Sequence, residues 1–104
     1  MTGKLRRVVT GHDAEGKAII ALDGDAPVVR EPRPGAAFIE VWNTTATPAP
    51  VNNGPDPTPQ SPPLAPPPNG SVMRVVDMPP GAQSPMHRTE TVDYGIVLTG
   101  EVSL

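Results

Sequence analysis

A proline-rich segment from Thr44 to Gly70 divides the chain into two parts. Ten of the sixteen prolines lie within it. Proline has no backbone N–H to donate to a β-ladder, and its ring breaks helices, so we expect no regular structure there. The segment should instead form an extended, partly polyproline II loop that either lies across the surface of the fold or is mobile. Regular elements are therefore expected in residues 1–43 and 71–104.

Short apolar or alternating runs predict β-strands on both sides of the proline-rich segment. None of them has the 3.6-residue period of an amphipathic helix. In the run from Ala36 to Asn43, residues Ala37, Ile39 and Val41 share a uniformly apolar face, which is the expected core face. A polar turn between Gly11 and Gly16 joins the first two runs into a hairpin. The predicted strands are residues 4–10, 17–22, 36–43, 71–78, 94–98 and 101–104.

Length and charge exclude several classes of protein. A chain of 104 residues forms one domain at most and buries a limited core. The net charge is −3 and there is no basic patch beyond Lys4, Arg6 and Arg7, so we expect no nucleic-acid partner. No apolar run reaches the ~18 residues of a membrane span, and the first residues lack the apolar core of a secretory signal. The absence of cysteine excludes disulfides and thiolate metal sites. We therefore expect a cytoplasmic protein without a membrane partner.

The segment from Gly81 to Gly100 holds the candidate functional residues. It reads GAQSPMHRTETVDYGIVLTG, with five residues between Gly81 and His87 and six residues between Asp93 and Gly100. This spacing resembles the first conserved motif of the cupin superfamily, in which glycine, two histidines, glutamate and glycine follow one another at such intervals. The resemblance is close over Gly81–Gly100 and extends to residues 71–104 when the preceding strand is included.

The resemblance to cupins implies a jelly-roll β-barrel. The second cupin motif does not appear before Leu104, so we expect the barrel to be incomplete or open, with a long proline-rich loop. The chain would then be a small single-domain cupin over residues 1–104, or the first part of one. Its parts are the N-terminal strands (1–43), the proline-rich loop (44–70) and the start of the motif region (71–104). Cupins commonly dimerise and open sheet edges favour pairing, so we expect a homodimer.

His87 is the candidate catalytic residue, with Asp93 and Tyr94 beside it. An imidazole has a pKa of ~6.5, which suits proton transfer. Asp93 would orient the ring, and Tyr94 would line a pocket for a small organic ligand. In the purely structural interpretation, His87 only satisfies hydrogen bonds, Asp93 is solvated at a strand end and Tyr94 is a half-buried ring.

A divalent metal is the alternative that the cupin resemblance raises. In metal-binding cupins, the two histidines and the glutamate of the motif ligate one metal. Here Thr89 stands at the second histidine position and Asp93 at the glutamate position. The remaining weak candidates are His87, Asp93 and Glu90, whereas a stable site needs three or more good donors. We therefore expect no cofactor.

Two classes of function stay open. The first is an enzyme that acts on a small organic molecule in a barrel pocket around His87. The second is a non-catalytic cupin, either structural or binding a small ligand, that lacks a complete metal site; Thr89 favours this class. Cupins include dioxygenases, isomerases, epimerases and decarboxylases, so the resemblance does not select a reaction. The proline-rich segment also has the PxxP form in Pro59–Pro62 and Pro63–Pro66, which is typical of ligands for aromatic-lined grooves.

Overall fold

A computed structural model describes residues 4–51 and 53–104. The strands form two small antiparallel sheets, a two-stranded sheet A and a three-stranded sheet B. The elements are β1 (Arg6–His12), β2 (Ala18–Asp25), β3 (Val29–Arg30), β4 (Ala37–Thr44), a 3-10 turn (Thr58–Gln60) and β5 (Ser71–Asp77). Sheet A pairs β1 with β2, and sheet B has the order β3–β4–β5. The all-β class is confirmed, and over the described residues the sheets do not close into a barrel.

The predicted N-terminal hairpin forms because Asp13 closes its turn. The carboxylate of Asp13 accepts the backbone N–H groups of Glu15 and Lys17, each at 2.9 Å. Its carbonyl accepts the N–H of Gly16 at 3.0 Å. Gly16 has a φ of 79°, in the left-handed region that favours glycine. Local turn chemistry therefore sets the pairing of β1 with β2.

Strand β4 is buried on both of its faces. Ile39 and Glu40 are neighbours, and neither has any exposed surface. Successive residues of a strand point to opposite sides of the sheet, so both sides are covered at this point. The register with β5 then shifts between Glu40 and Trp42, which breaks the alternation that the sequence predicts. The expected core face is confirmed at Ile39, but the pattern did not predict the equal burial of Glu40.

The strands predicted at residues 94–98 and 101–104 do not form, and this part of the prediction is wrong. No residue from 78 to 104 is in a strand. Tyr94 is 93% exposed and Ile96 is 84% exposed. A strand takes its hydrogen bonds from a neighbouring strand, so a β-prone run without a partner in the described structure does not become one.

The proline-rich segment lies against both sheets. Thr58 and Ser61 are buried, at 0% and 3% exposed. The 3-10 turn corrects the expectation that the segment has no regular structure; Pro59 lies in its first turn, where a missing N–H is tolerated. Backbone bends at residues 63–65 interrupt the extended path that a PxxP ligand needs. Of the two arrangements expected for this segment, the contacts support the one in which it lies across the fold.

Among residues 4–51 and 53–104, no helix has the length and apolar character that a membrane span requires.

Candidate functional site

The candidate residues of the Gly81–Gly100 segment lie on the surface. His87, Asp93 and Tyr94 are all exposed, and so is Glu90. No hydrogen bond among the described side chains joins His87 to Asp93. The structure therefore does not gather these residues into a pocket, and the orienting role of Asp93 and the lining role of Tyr94 stay predictions.

Within the described residues, the His87 ring makes a hydrogen-bond contact with its own loop. Nδ1 of His87 lies 2.9 Å from the carbonyl oxygen of Pro85. A carbonyl can only accept a hydrogen bond, so Nδ1 carries the proton of the neutral ring and Nε2 carries the lone pair. Because the partner is two residues away, this tautomer depends on the local backbone and not on the distant fold. His87 thus presents a basic nitrogen at the surface.

The donors considered for a metal do not come together. In the described part of the chain, no three His, Cys, Asp or Glu side chains are placed to hold a metal ion. Thr89, which the spacing predicts at the second histidine position, shares a hydrogen bond of 2.9 Å with the hydroxyl of Thr91. A stable divalent site needs several protein donors at once. As placed, His87, Glu90 and Asp93 therefore do not fit a metal ion.

The sequence did not predict a buried ionic cluster in sheet B, which we call the Glu40 cluster; it consists of Glu40, Arg30, Arg74 and Ser61. Arg30 Nη1 donates to Glu40 Oε1 at 2.9 Å. Arg74 Nε donates to Oε2 at 3.3 Å, and Ser61 Oγ donates to the same oxygen at 3.0 Å. A buried carboxylate is costly unless charges and hydrogen bonds compensate it, and here two guanidinium groups and a hydroxyl do so. The signal in the sequence was an acidic residue midway along the best-patterned strand.

Arg74 connects this cluster to the proline-rich segment. Its Nη2 donates to the carbonyl of Pro62 at 2.8 Å, and its Nη1 lies 3.2 Å from the carbonyls of both Pro63 and Leu64. The guanidinium carbon is 5.3 Å from the centroid of the Phe38 ring, within cation–π range. Prolines keep their carbonyl acceptors although they lack N–H donors, so one arginine can hold this stretch of chain.

A second ion pair joins Arg7 of β1 to Asp56 of the proline-rich segment. Arg7 Nη1 also donates to the carbonyl of Val41 at 2.9 Å, and its guanidinium carbon is 5.9 Å from the Trp42 ring centroid. Thr58 donates to Asp56 from its N–H at 2.9 Å and from its hydroxyl at 2.7 Å. Burial raises the pKa of the Asp56 carboxyl, but the hydrogen bonds from Arg7 and Thr58 outweigh it and hold that pKa below its usual value.

A cavity of about 220 Å³ lies beside this ion pair, away from His87. Arg7, in the wall of the cavity, forms an ion pair with Asp56. Asp23 accepts two hydrogen bonds from the Arg6 guanidinium, at 2.7 and 2.8 Å. Some of the polar side chains that line the cavity are therefore already paired with other residues of the protein. The cavity is lined by Arg7, Leu22, Asp23, Gly24, Asp25, Pro27 and Asp56.

Comparison with known proteins identifies the family. No family model matches the chain. The cupin-domain-containing oxidoreductase virC of Hypocrea virens is 41% identical over 103 residues, which cover 94% of this chain and 52% of that protein. A second cupin-domain-containing oxidoreductase, fogC of Aspergillus ruber, is 34% identical over 98 residues, or 90% of this chain and 48% of its own. The chain belongs to the cupin superfamily. The Phomopsin biosynthesis cluster protein C' of Diaporthe leptostromiformis is 38% identical to this cupin over 104 residues, covering 94% of it and 55% of that protein.

This cupin spans about half the length of the curated relatives it matches. The matches cover at least 90% of the chain, so they extend into the segment that holds His87, Asp93 and Tyr94. The predicted superfamily is therefore confirmed. The role of each residue within the Gly81–Gly100 spacing stays a prediction.

Proposed function

We propose that this cupin is an enzyme that acts on a small organic molecule and that His87 is its proton-transfer group. The names of relatives such as virC and fogC, both cupin-domain-containing oxidoreductases, support an enzyme. Since the chain spans about half of those proteins, the activity of the whole relative comes to this chain only as part of the proposal.

The observation that carries the proposal is the contact of 2.9 Å between His87 Nδ1 and the Pro85 carbonyl oxygen. With Nδ1–H directed at the Pro85 carbonyl, Nε2 is the atom that can accept a proton from a bound molecule. The same ring, once protonated, can return that proton to a developing anion. In the proposal, Asp93 and Tyr94 flank the bound molecule, with Asp93 as a second acceptor and Tyr94 as a ring against which it lies.

The test uses the full chain and its two histidines. The protein would be mixed with a panel of small carbonyl-bearing and aromatic acids, and NMR would follow both the imidazole signals and the chemical fate of each compound. We expect at least one compound to shift the His87 signals and to be converted. His87→Ala should abolish conversion, whereas His12→Ala should preserve it because His12 lies at the end of β1 in sheet A and His87 lies outside both sheets. Conversion that survives in His87→Ala would contradict the proposal.

A non-catalytic cupin is the second candidate, and the exposed, ungathered positions of His87, Asp93 and Tyr94 favour it. Such a protein would bind a small ligand, or serve a structural role, without turnover. The same experiment separates the two classes. A compound that shifts the His87 signals but is recovered unchanged after prolonged incubation would support binding without catalysis.

A further inference from the structure

We propose that residues 53–64 act as a strap that fastens sheet A to sheet B and opens as a single unit. We call these residues the strap. The proposal concerns a conformational device of the fold and is independent of the proposed enzymatic function. It rests on two clamps, one at each end of the strap, and on the turn between them.

The first clamp holds the strap to β1. The Asn53 side chain accepts the N–H of His12 at 3.1 Å and donates to the carbonyl of the same residue. It thus satisfies both backbone groups of His12, as a neighbouring strand would. Three residues further on, Asp56 pairs with Arg7, whose side chain is 7% exposed. The strap therefore bonds to sheet A at two positions of β1, His12 and Arg7.

The second clamp holds the strap to sheet B. Ser61 donates its hydroxyl to Glu40 at 3.0 Å, and its carbonyl accepts Arg30 Nη2 at 2.6 Å. Arg74 then holds the next three carbonyls, at 2.8 to 3.2 Å. The Glu40 cluster therefore anchors the strap over residues 61–64, and the carboxylate at its centre is fully buried.

A short rigid link joins the two clamps. The 3-10 turn is closed by hydrogen bonds of 3.0 Å from Gln60 N–H to the Pro57 carbonyl and from Ser61 N–H to the Thr58 carbonyl. Thr58 is fully buried and bonds back to Asp56 through its N–H and its hydroxyl. Because Asp56 belongs to one clamp and Ser61 to the other, a shift at either clamp is transmitted through this turn.

Apart from the strap, a three-residue link between β2 and β3 joins the two sheets. The N–H of Ala26 donates to the Leu5 carbonyl at 2.7 Å, and the N–H of Glu40 donates to the Val28 carbonyl at 3.0 Å. Within the described residues, the extensive contacts between elements are those inside each sheet and that of β4 with the 3-10 turn of the strap. The direct bond from Arg7 to the Val41 carbonyl crosses from sheet A to sheet B, and Arg7 is itself held by the strap. The position of the hairpin relative to sheet B is therefore set by the strap together with this short link, and opening the strap would leave the hairpin held by the link.

The test is amide hydrogen exchange in the full chain, read residue by residue by NMR. The probes are the amides of Gln60 and Ser61 in the turn and of His12 at the far clamp. Arg74→Lys keeps the charge but cannot span three carbonyls, so we expect exchange at all three probes to rise together by about tenfold or more. The matched control is Arg33→Lys, because Arg33 donates to one backbone carbonyl, that of Gln83, outside the strap. It should leave the three probes unchanged.

A rise at Ser61 without a rise at His12 would overturn the proposal, because the clamps would then be independent. Protection of the Ile39 amide in β4 shows whether Arg74→Lys still folds. Should that variant unfold, the unaltered chain is measured in low concentrations of denaturant. The strap predicts that Gln60, Ser61 and His12 share one opening free energy, below that of Ile39. Three different opening energies would exclude a single unit.

Discussion

Glu40 is the residue on which the interior of sheet B depends. Its carboxylate has no exposed surface, yet it receives donors from β3, from β5 and from the proline-rich segment. Such a cluster is stable only while it is complete, since the Glu40 carboxylate is fully buried and needs its arginine partners to compensate its charge. Side-chain chemistry at this single position therefore links three parts of the chain that are distant in sequence.

Glu40→Gln should destabilise the protein by about 3–5 kcal/mol, because Arg30 and Arg74 would lose their buried counter-charge. The measurement is the free energy of unfolding from denaturant titration. Glu15→Gln is the matched control, since the Glu15–Lys17 pair is 3.9 Å apart with both side chains 76% exposed. We expect the control to match the unaltered chain. Similar losses in the two variants would show that burial of the Glu40 charge is not the cause.

Asp56 should make the free energy of unfolding depend on pH in the acid range. Its folded pKa lies below the usual value, so its contribution is complete above the unfolded carboxyl pKa of ~4 and is lost as the pH falls through the lower folded pKa. Asp56→Asn should reduce stability at neutral pH by about 3 kcal/mol and flatten the acid limb of the stability profile. Thermal unfolding between pH 2 and pH 7 measures both effects. Asp25→Asn is the control variant because Asp25 is exposed. If the loss of stability at low pH is the same in Asp56→Asn as in the unaltered chain, Asp56 is not its cause.

His87 should not retain a divalent metal. The cupin-like spacing predicts Thr89 at the position of a second histidine, and its neutral hydroxyl is a poor ligand for a first-row metal. We therefore expect elemental analysis of the dialysed protein to find no stoichiometric iron, manganese, zinc or nickel. About one metal per chain would contradict this expectation, and His87→Ala should then remove it.

At the scale of elements, two segments differ from what their composition predicts. The proline-rich segment contains a hydrogen-bonded turn and contacts both sheets. The β-prone run at residues 94–98 is unpaired and exposed. In both cases contacts with distant residues, or their absence in the described structure, outweigh local propensity.

Backbone dynamics should follow these contacts and not the composition. The sequence alone predicts that residues 44–70 are mobile relative to residues 71–78. From the clamps we expect residues 58–61 to have order parameters of about 0.85, similar to β5, and residues 94–98 to fall below about 0.6. Nitrogen-15 relaxation is the measurement. Low order parameters at residues 58–61 would show that the proline-rich segment is mobile, as the sequence predicts, and would contradict the strap proposal.

At the scale of the whole molecule, much apolar surface faces solvent. In the last part of the chain Val92, Ile96 and Leu98 are 69–88% exposed. Every residue of β2 is exposed as well. Unpaired β-prone segments and exposed apolar side chains both favour association with another chain.

The protein should therefore be a homodimer or a larger assembly at micromolar concentration. Sedimentation equilibrium measures this directly. Ile96→Asp should weaken association by placing a charge in the exposed apolar segment, whereas Val51→Asp should not, because Val51 is likewise exposed but lies in the proline-rich segment, outside that apolar segment. A monomer with a cooperative thermal transition would show that the described strands form a stable core alone.

Local patterns in the sequence were sufficient for the all-β class, the N-terminal hairpin and the positions of β4 and β5. They were sufficient because turn chemistry and β-propensity act between near neighbours, as Asp13 and Gly16 show in the first turn. The spacing from Gly81 to Gly100 was likewise enough to indicate the cupin superfamily.

Tertiary structure alone decided the burial of Glu40, the course of the proline-rich segment and the unpaired state of residues 94–98. Arg7 and Asp56 are 49 positions apart, and Arg74 and Glu40 are 34 apart. Which charges meet over such separations depends on how the sheets are placed, and no local pattern encodes that placement. For the same reason the sequence could select His87 as a candidate, but only the folded chain could show that His87, Asp93 and Tyr94 are all exposed and are not gathered in a pocket.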